Sequence, residues 1–442
     1  MPAHFIVVGA GYAGLTAAIE LSRKGFDVEV FESAKRFTRQ GDILVINPSV
    51  TRIMSKWGET LEQVKGVSTV NDHQTIYDHH GNVIISEPQD FTRDGFRTLM
   101  TPRGYLHLII YEHAKSIGVK VHFGTPITEV FEDDDCAGVY VDGKRIVADG
   151  VIAADGVHSK VRRQILQDEG RTQSSGFAIY RSFYDTERLL DDPKARAFIE
   201  GPKDDIAIWI GPDAHALVLT DKKIGKIGCF LTHKDDYTVD ESWTAPGSVP
   251  DMLKIVEGWD ETLRALFSKI PPNELFDWKL LWRDPLKDWT SPKRRIVLIG
   301  DAVHPHLPTS GSGAMQAIED GATIGALVDK LGSENIPEIF KVFQLIRYER
   351  TNLTQHIGWE NRHKFHQTDW EAVKKNPGLI KIVHDEWLLS HDAEKYAEEN
   401  AENALQALRS GTPFKSTNVP DEYVHQDWDV KSLMELDAQR AH

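Results

Sequence analysis

The first thirty-two residues show the apolar pattern of a strand, a helix and a second strand. Residues 4–8, HFIVV, have the pattern of a short buried strand, residues 14–24 carry apolar side chains at helical spacing, and residues 26–32 continue as a second strand. Three glycines separate the first strand from the helix, and Gly25 follows the helix as a C-cap. This order predicts a βαβ unit whose first turn is rich in glycine.

The rest of the chain alternates between buried strand–helix segments and a long stretch with a period of two. From residue 177 to residue 233, four segments alternate apolar and polar side chains, which predicts an antiparallel sheet. Residues 127–147 also alternate, as a hairpin with Asp142-Gly143 at its turn. The other predicted elements are a helix at 43–58, a strand and helix at 96–119, a strand at 120–124, a strand and helix start at 151–165, a helix at 250–269, a strand at 294–304, a helix at 313–332 and helices from about 335. The pattern predicts an α/β fold in which an antiparallel sheet is inserted between the halves of a parallel one.

The composition limits the classes of partner. The 442 residues include 51 Lys and Arg against 67 Asp and Glu, which gives a net charge of −16. This balance argues against nucleic-acid binding through phosphates and against docking on anionic lipid. Cys136 and Cys229 have no CxxC spacing and no histidine cluster, so we expect no disulfide framework, no metal site and a reducing, cytoplasmic compartment. No apolar stretch approaches the ~20 residues of a membrane span, and the N-terminus lacks the basic start of a signal peptide.

Gly9, Gly11 and Gly14 have the spacing of a dinucleotide-binding turn. The first glycine permits the tight turn, the second lets a pyrophosphate approach the backbone, and the third lets the helix pack on the strand. The helix N-terminus adds free N–H groups and a partial positive charge. Glu32, at the end of the second strand, can accept hydrogen bonds from ribose hydroxyls and repels a 2′-phosphate, so NADP is not expected in this pocket.

A second motif, over residues 296–321, separates FAD from NAD. A buried strand ends at Asp301, whose carboxylate can accept hydrogen bonds from a polyol chain. The backbone of Gly311–Met315 then presents N–H groups at a helix start, where they stabilise the negative charge that develops on a reduced flavin. The alternative role for Asp301 is a helix N-cap, and the surrounding motif favours the cofactor.

Asp155-Gly156 completes a set of three motifs. GAGYAG at residues 9–14, DG at 155–156 and GD at 300–301, in this order, resemble the single-component aromatic hydroxylases of the p-hydroxybenzoate hydroxylase fold. The resemblance to the salicylate-hydroxylase-like branch runs over roughly residues 4–330 and includes TPRGYLHLII at 101–110. The later segment WLLSHDAEKYAEE resembles the C-terminal signature of fungal members, which points to secondary metabolism.

The resemblance implies a fold and a cofactor. The fold is α/β: a Rossmann-type FAD-binding domain, an inserted, mostly antiparallel β-sheet substrate domain and a helical C-terminal tail. The expected boundaries are 1–75, 96–175 and 290–330 for the discontinuous FAD-binding domain, 76–95 and 176–285 for the substrate domain, and 335–442 for the C-terminal helical region. The FAD-binding residues carried over by position are Gly9, Gly11, Gly14, Glu32, Arg103, Asp155, Asp301, Gly313, Ala314 and Met315.

The resemblance also implies a reaction. NADH or NADPH binds transiently and reduces FAD, and the reduced flavin reacts with O2 to give a C4a-hydroperoxide. We therefore expect a monooxygenase that transfers this oxygen to an aromatic or indole-like small molecule, by hydroxylation or epoxidation. The alternatives are a flavin-dependent reductase, a halogenase on the same fold, whose usual WxWxIP motif this sequence lacks, and a non-catalytic FAD-binding redox sensor.

Arg181 and Asp42 are the candidate catalytic residues. Strand alternation puts Arg181 on one face with Ile179 and Phe183, where a cation needs a peroxide, carboxylate or phenolate partner. Several fungal members of the resembled family carry a catalytic arginine at the matching position. Asp42 replaces an alanine of the family's GAGI loop beside the flavin, so it either pairs with Arg181 or anchors a substrate nitrogen. The alternatives are an outward-facing Arg181 in a surface salt bridge and a solvated Asp42.

One departure from the family bears on the substrate. Relatives that hydroxylate phenols often carry H-x-x-x-Y-P, but here His215 is followed by Leu219 and Thr220 at the Tyr-Pro positions. The missing tyrosine argues against salicylate or a simple phenol as the substrate.

Overall fold

The computed structural model describes residues 2–38, 41–167, 173–201, 205–235, 245–366, 368–381 and 385–440. Within them the strands are β1 (His4–Val8), β2 (Asp27–Glu32), β3 (Ile43–Ile46), β4 (His73–Asp78), β5 (Val83–Pro88), β6 (Thr92–Arg93), β7 (Phe96–Arg97), β8 (Leu99–Pro102), β9 (Lys120–Phe123), β10 (Val130–Glu132), β11 (Ala137–Val141), β12 (Lys144–Ala148), β13 (Gly150–Ala153), β14 (Gln173–Asp185), β15 (Asp205–Gly211), β16 (Ala214–Asp221), β17 (Lys226–Lys234), β18 (Leu275–Trp282) and β19 (Ile296–Leu298). The α-helices are α1 (Tyr12–Arg23), α2 (Pro48–Met54), α3 (Thr60–Val67), α4 (Arg103–Ser116), α5 (Lys160–Leu166), α6 (Pro193–Ile199), α7 (Val249–Ile255), α8 (Glu261–Ser268), α9 (Gly313–Leu331), α10 (Ile336–His366), α11 (Trp370–Lys375), α12 (Glu386–Leu389), α13 (Ala393–Ser410) and α14 (Val430–Arg440).

A five-stranded parallel sheet carries the first glycine-rich turn. Its strands lie in the order β19, β13, β1, β2, β9, and every neighbouring pair is parallel. β1 lies in the middle, and Phe5, Ile6 and Val7 have no exposed surface, because a central parallel strand is covered on both faces. The predicted βαβ unit is confirmed, with Gly25 after α1 at a φ of +86°.

Helices α1 and α9 pack against each other, and this contact brings the two predicted cofactor motifs together. Gly321 of α9 lies so close to α1 that a Cβ there would be 2.5 Å from the Ala17 nitrogen. Each helix follows the carboxyl end of a parallel strand, which is the edge where ligands bind in open α/β sheets. The helix predicted at 313–332 is present as α9.

The chain segments that lie between the strands of the parallel sheet form a second sheet of seven strands. Its order is β18, β14, β17, β16, β15, β4, β5, and only the pair of β15 and β4 is parallel. On β14, Tyr180 and Tyr184 pack in one core with α7 and α8, whereas Ile179 and Phe183 belong to clusters on the opposite face. The predicted insertion of a mostly antiparallel sheet into an α/β protein is confirmed.

The two strands that lead into this sheet begin slightly earlier than the expected domain boundaries. β4 begins at His73 and β14 begins at Gln173, rather than near residues 76 and 176. We propose the same division into an FAD-binding domain, a substrate domain and a C-terminal helical region, with these two crossings moved to the strand starts.

The helix predicted over residues 43–58 is wrong at both ends, since only Pro48–Met54 is helical. Ile43–Ile46 forms β3, which pairs antiparallel with β8, because its β-branched side chains suit a pleated strand. Asn47 then caps α2 by accepting the N–H of Val50, and Pro48 occupies the first helical position.

Two other local predictions need refinement. The helix predicted over 250–269 is divided into α7 and α8, with Gly258 at a φ of +76° and Asp260 as the N-cap of the second helix. The hairpin predicted over 127–147 is a three-stranded sheet of β10, β11 and β12. Its predicted turn is confirmed, since Asp142 and Gly143 lie at φ values of +50° and +75°.

The C-terminal region is helical, as expected, and α10 is its main element. This helix has 31 residues, packs along α9 and reaches β15 and β16 of the seven-stranded sheet. α13 packs on both α9 and α10. Among the described residues, no helix combines the length and apolar character that a membrane crossing requires.

Candidate cofactor and substrate site

The turn between β1 and α1 uses its three glycines differently. Gly9 lies at a φ of +101°, and a Cβ there would be 2.4 Å from the Ala154 carbonyl oxygen. A Cβ at Gly14 would be 2.0 Å from the Gly9 carbonyl oxygen. A Cβ at Gly11 would meet no atom of the described residues within 4 Å. The fold itself therefore needs Gly9 and Gly14, whereas Gly11 borders open space at the N-terminus of α1, which suits a pyrophosphate.

Glu32 lies beside this turn at the end of β2. Its Oε2 accepts the backbone N–H of Ala10 at 2.8 Å, and its Oε1 accepts the backbone N–H of Ala34 at 2.7 Å. Each carboxylate oxygen can accept more than one hydrogen bond. The structure therefore holds this carboxylate against the glycine turn and leaves it capacity for ribose hydroxyls.

Asp155 follows β13 and organises the first turn of α5. Its Oδ1 accepts the Ser159 hydroxyl at 2.5 Å, and its Oδ2 accepts the backbone N–H of Lys160 at 2.8 Å. The preceding residue, Ala154, is the one that Gly9 approaches closely. The structure thus places Asp155 next to the glycine turn and gives its side chain a capping role.

The second cofactor motif meets the first at the start of α1. Gly300 opens a short 3-10 turn after β19, and a Cβ there would be 2.9 Å from the Ala13 Cβ. Asp301, the next residue, is half-buried; burial raises its pKa, and the positive charge of Arg103 opposes that rise. After Gly311, at a φ of +59°, the first turn of α9 presents the backbone of Gly313–Met315. The open border at Gly11 and this second helix start together fit a dinucleotide with a flavin at one end.

Asp42, Arg103 and Arg181 form one cluster, in which Asp42 and Arg181 are buried and Arg103 is half-buried. Arg181 Nη1 lies 3.3 Å from Asp42 Oδ2, and Arg103 Nε lies 3.4 Å from Asp42 Oδ1. Asp42 is 7% exposed and Arg181 is 8% exposed. These values exclude the solvated Asp42 and the outward-facing Arg181, and the contact shows that the two residues pair.

The two arginines of this cluster differ electrostatically. Burial alone would lower the pKa of Arg103, but the charges of Asp42 and Asp301 raise it above its ordinary value. Burial lowers the pKa of Arg181, and Asp42 only partly opposes this effect. Arg181 is carried by the inserted sheet, on β14, whereas Arg103 begins α4.

Arg181 lies on a sheet face lined by aromatic and aliphatic side chains. Its partners across the neighbouring strands are Phe230 and Phe276, and its guanidinium carbon lies 5.0 Å from the ring centre of Trp278. The half-buried apolar side chains on this face are Phe183, Leu217, Phe230, Phe276 and Trp278. Leu219, at the position of the family's tyrosine, is buried on the same face. Arg181 therefore stands in a largely apolar wall, where it meets Asp42.

Sequence reasoning missed Tyr12 and His107, which surround the Arg103 backbone and the glycine turn. The Tyr12 hydroxyl donates to the Arg103 carbonyl oxygen at 2.8 Å, and burial raises the pKa of this tyrosine. The His107 Nε2 lies 2.6 Å from the Ala10 carbonyl oxygen. The spacing of a tyrosine inside GxGxxG gives no signal for such contacts.

Sequence reasoning also missed a buried ion network behind the second motif. Glu319 and Asp320 of α9 pair with Arg347 and Arg350 of α10, and all four side chains have no exposed surface. The available signal was adjacent acids in an apolar helix and an arginine pair three residues apart in a later one.

The family comparison matches most of the chain. A model described as "FAD binding domain" matches residues 3–333. The "Asperlicin C monooxygenase" of Petromyces alliaceus is 34% identical over 430 residues, covering 93% of this chain and 93% of that protein. The "FAD-dependent monooxygenase fmqB" of Aspergillus fumigatus is 32% identical over 412 residues, covering 89% of this chain and 98% of that protein.

Solved structures agree with these relatives. CtdE, solved with FAD and a substrate, matches with a TM-score of 0.87 and 32% identity, over 92% of this chain and all of that one. FqzB matches with a TM-score of 0.86 and 33% identity, over 96% and 98% of the two chains. A salicylate hydroxylase with substrate, at 22% identity and a TM-score of 0.76 over 90% of this chain and 97% of that one, shares the fold. The matches favour a monooxygenase over the reductase, halogenase and sensor alternatives.

Proposed function

Because the chain belongs to the FAD-binding family of flavin-dependent monooxygenases, we propose that its substrate is a neutral, electron-rich aromatic ring with an N–H group, of the indole type. In this proposal NADH or NADPH is the co-substrate, and one atom of O2 enters the ring system. We place the enzyme in fungal secondary metabolism and in the cytoplasm, in keeping with its relatives and its two unpaired cysteines.

One observation supports this substrate class: the Asp42–Arg181 pair stands in an apolar, aromatic wall. An isolated cation would be costly in such a wall, and so would an isolated carboxylate. Together they offer one acceptor and one donor at neighbouring positions, which matches a ring that carries an N–H and an oxygen that gains negative charge as the O–O bond breaks. Asp42 accepts the substrate N–H, and Arg181 donates to the oxygen on which this charge develops.

A second observation argues against phenols. At the position where phenol hydroxylases of the family carry an activating tyrosine, this chain has Leu219, which is 3% exposed. A buried leucine cannot take a proton from a phenol. A ring whose nitrogen lone pair already enriches it in electrons needs no such deprotonation.

The cofactor assignments are part of the same proposal. FAD supplies the activated oxygen once NAD(P)H has reduced it. Gly11 and the N-terminus of α1 face the pyrophosphate, Glu32 the adenosine ribose, and Asp301 with Arg103 the ribityl–pyrophosphate region. The backbone of Gly313–Met315 donates to the electron-rich edge of the flavin, and the apolar wall excludes water from the reacting atoms. Gly9, Gly14 and Asp155 keep the turns in place.

The test compares rings that differ by one group. The full chain, loaded with FAD, is given NADH or NADPH and either an indole, its N-methyl analogue, a phenol or salicylate. We expect the indole to stimulate NAD(P)H oxidation and to yield a product that carries one atom from isotopically labelled O2. The N-methyl analogue is turned over at least about tenfold less efficiently, because it cannot donate to Asp42.

Two variants test which side chain recognises which group of the substrate. Asp42→Ala removes the acceptor oxygen and with it the preference for the free N–H, and Arg181→Ala reduces product formation about 100-fold or more while FAD stays bound. Arg196→Ala, whose side chain is 55% exposed on α6, is the control and changes neither. Efficient turnover of phenol or salicylate with inert indoles would overturn the proposed substrate class.

A further inference from the structure

One buried side chain, Arg347 of α10, contacts two residues of α9 that lie close to the two ends of the loop joining β19 to α9. This side chain has no exposed surface and belongs to a helix that begins after residue 333, where the family match ends. The two residues of α9 are Asp320 and Gln316. A residue outside the matched domain thus contacts α9, whose Asp320 in turn bonds the turn that carries Asp301.

Asp320 connects Arg347 to the Gly300–Asp301 turn. Its Oδ2 accepts the Gly300 backbone N–H at 2.9 Å and lies 2.7 Å from the His304 Nε2. Its Oδ1 accepts the Arg347 Nε–H at 2.8 Å. Because Gly300 and His304 lie on either side of Asp301, a single carboxylate fixes the turn that carries it.

Gln316 connects Arg347 to the start of α9. The Arg347 Nη2 donates to the Gln316 side-chain oxygen at 2.7 Å and to the Gln316 backbone oxygen at 3.2 Å. Gln316 directly follows Met315, the last residue of the backbone segment assigned to the flavin. The remaining contact, from Nη1 to Glu319 Oε2 at 2.8 Å, completes the fork. One guanidinium therefore braces both Gln316 and Asp320 of α9, and Asp320 bonds the Gly300 turn.

We propose that Arg347 is a positioning residue for FAD: it orients the Asp320 carboxylate, which holds the Gly300–Asp301 turn against α9, and it bonds Gln316 next to the first turn of α9, so that both segments are placed for the flavin and its ribityl chain. The proposal rests on the assignment of these two turns to FAD under the proposed function. Arg347 contacts the reacting groups only through other residues, so its effect appears in cofactor affinity and in the flavin environment.

Arg350 supplies a matched comparison on the same helix. It is equally buried and pairs with Glu319, but its other bonds go to the carbonyl oxygens of Trp387, Leu388 and Asn418 in the C-terminal region. Both arginines carry a buried charge and both make several bonds. Only Arg347 bonds to Asp320 and Gln316 among the contacts described here.

The experiment measures the FAD dissociation constant of the full chain for Arg347→Lys and Arg350→Lys, at a temperature well below the unfolding transition of each. A lysine keeps the charge but cannot bond Asp320 and Gln316 at once. We expect Arg347→Lys to raise the dissociation constant at least about tenfold and to shift the absorbance spectrum of bound flavin. Arg350→Lys lowers thermal stability but leaves the dissociation constant within about twofold of the unmodified protein and the spectrum unchanged.

Equal effects of the two variants on FAD affinity, or no effect of Arg347→Lys, would overturn the positioning role. If Arg347→Lys does not fold, Asp320→Asn and Glu319→Gln provide a second pair, and the same contrast is required of them. Asp301→Ala separates the positioning role of Arg347 from the assignment of these turns to FAD. If it weakens FAD binding while Arg347→Lys does not, only the positioning role fails; if neither does, the assignment of these turns to FAD fails as well.

Discussion

At the scale of single residues, the glycines of the first turn differ in why they must be glycine: some are required by the fold and one by the expected cofactor. Gly11 has a φ of −74° and a ψ of −173°, which an alanine adopts without strain, and its missing Cβ faces open space. A Cβ at Gly14 would be 2.0 Å from the Gly9 carbonyl oxygen. Substitution by alanine should therefore affect FAD binding at one position and folding stability at the other, only three residues away.

We predict that Gly11→Ala leaves the stability of the cofactor-free protein unchanged and weakens FAD binding at least about tenfold, because its methyl group takes the space of a pyrophosphate. Gly14→Ala is expected to cost about 3 kcal/mol of unfolding free energy through overpacking. Urea unfolding of the cofactor-free protein and FAD titration measure the two effects. Normal FAD affinity in Gly11→Ala would place the pyrophosphate elsewhere.

At the scale of elements, the first turn of α5 depends on Asp155, whose carboxylate accepts the Ser159 hydroxyl and the N–H groups of Lys160 and Val161. We predict that Asp155→Ala lowers the unfolding free energy of the cofactor-free protein by about 1 kcal/mol, the usual value of an N-terminal cap. Asp155→Asn keeps an acceptor oxygen and should recover most of this loss. A destabilisation seen only with FAD bound would contradict the capping role.

The elements show how far local sequence pattern determines this fold. The unbroken apolar runs and the glycine turn predict the parallel sheet, because a buried strand and a tight turn each need particular residues over a few positions. The pattern failed at 43–58, where four apolar residues suit either a helix or a strand, and pairing with a distant strand, β8, decides the outcome.

The site follows the same rule. The predicted cofactor residues lie in short motifs, so spacing and the family resemblance suffice to predict them, and the pairing of Asp42 with Arg181 was one of two expected options. The Asp320–Arg347 contact joins residues 27 positions apart on two helices. In the sequence, this contact shows only as charged residues at helix positions where the periodicity predicts apolar ones. Which charge pairs with which depends on how α9 and α10 pack.

At the scale of the whole molecule, α10 connects both sheets. Arg347 binds α9 beside the parallel sheet, and His366, at the other end of the helix, hydrogen-bonds through Nε2 to Nδ1 of His215 on β16 at 2.8 Å. Both imidazoles are more than nine-tenths buried. Burial lowers the pKa of His215 to about 4, and burial and nearby positive charges lower the pKa of His366 well below its ordinary value.

These histidines make the stability of the folded chain depend on pH. A histidine whose pKa is lowered by folding leaves the folded chain with fewer bound protons than the unfolded chain, so stability is complete above pH ~6.5 and is lost as the pH falls toward the folded value. For His215 the loss is about 1.4 kcal/mol per pH unit between pH ~6.5 and about 4. His306, whose pKa burial lowers to about 3, adds to the same trend.

We therefore predict that the unfolding free energy of the full chain, measured by urea titration, falls steeply from pH 6.5 to pH 5, and that His215→Asn makes the fall less steep by about 1.4 kcal/mol per pH unit. His158→Asn, at an exposed position, is the control and leaves the slope unchanged. The net charge of −16 acts in the opposite direction, since protonation of surface carboxylates relieves their mutual repulsion. If stability instead rises toward pH 5, that repulsion outweighs the buried imidazoles, and the His215–His366 contact does not control the response of the molecule to acid.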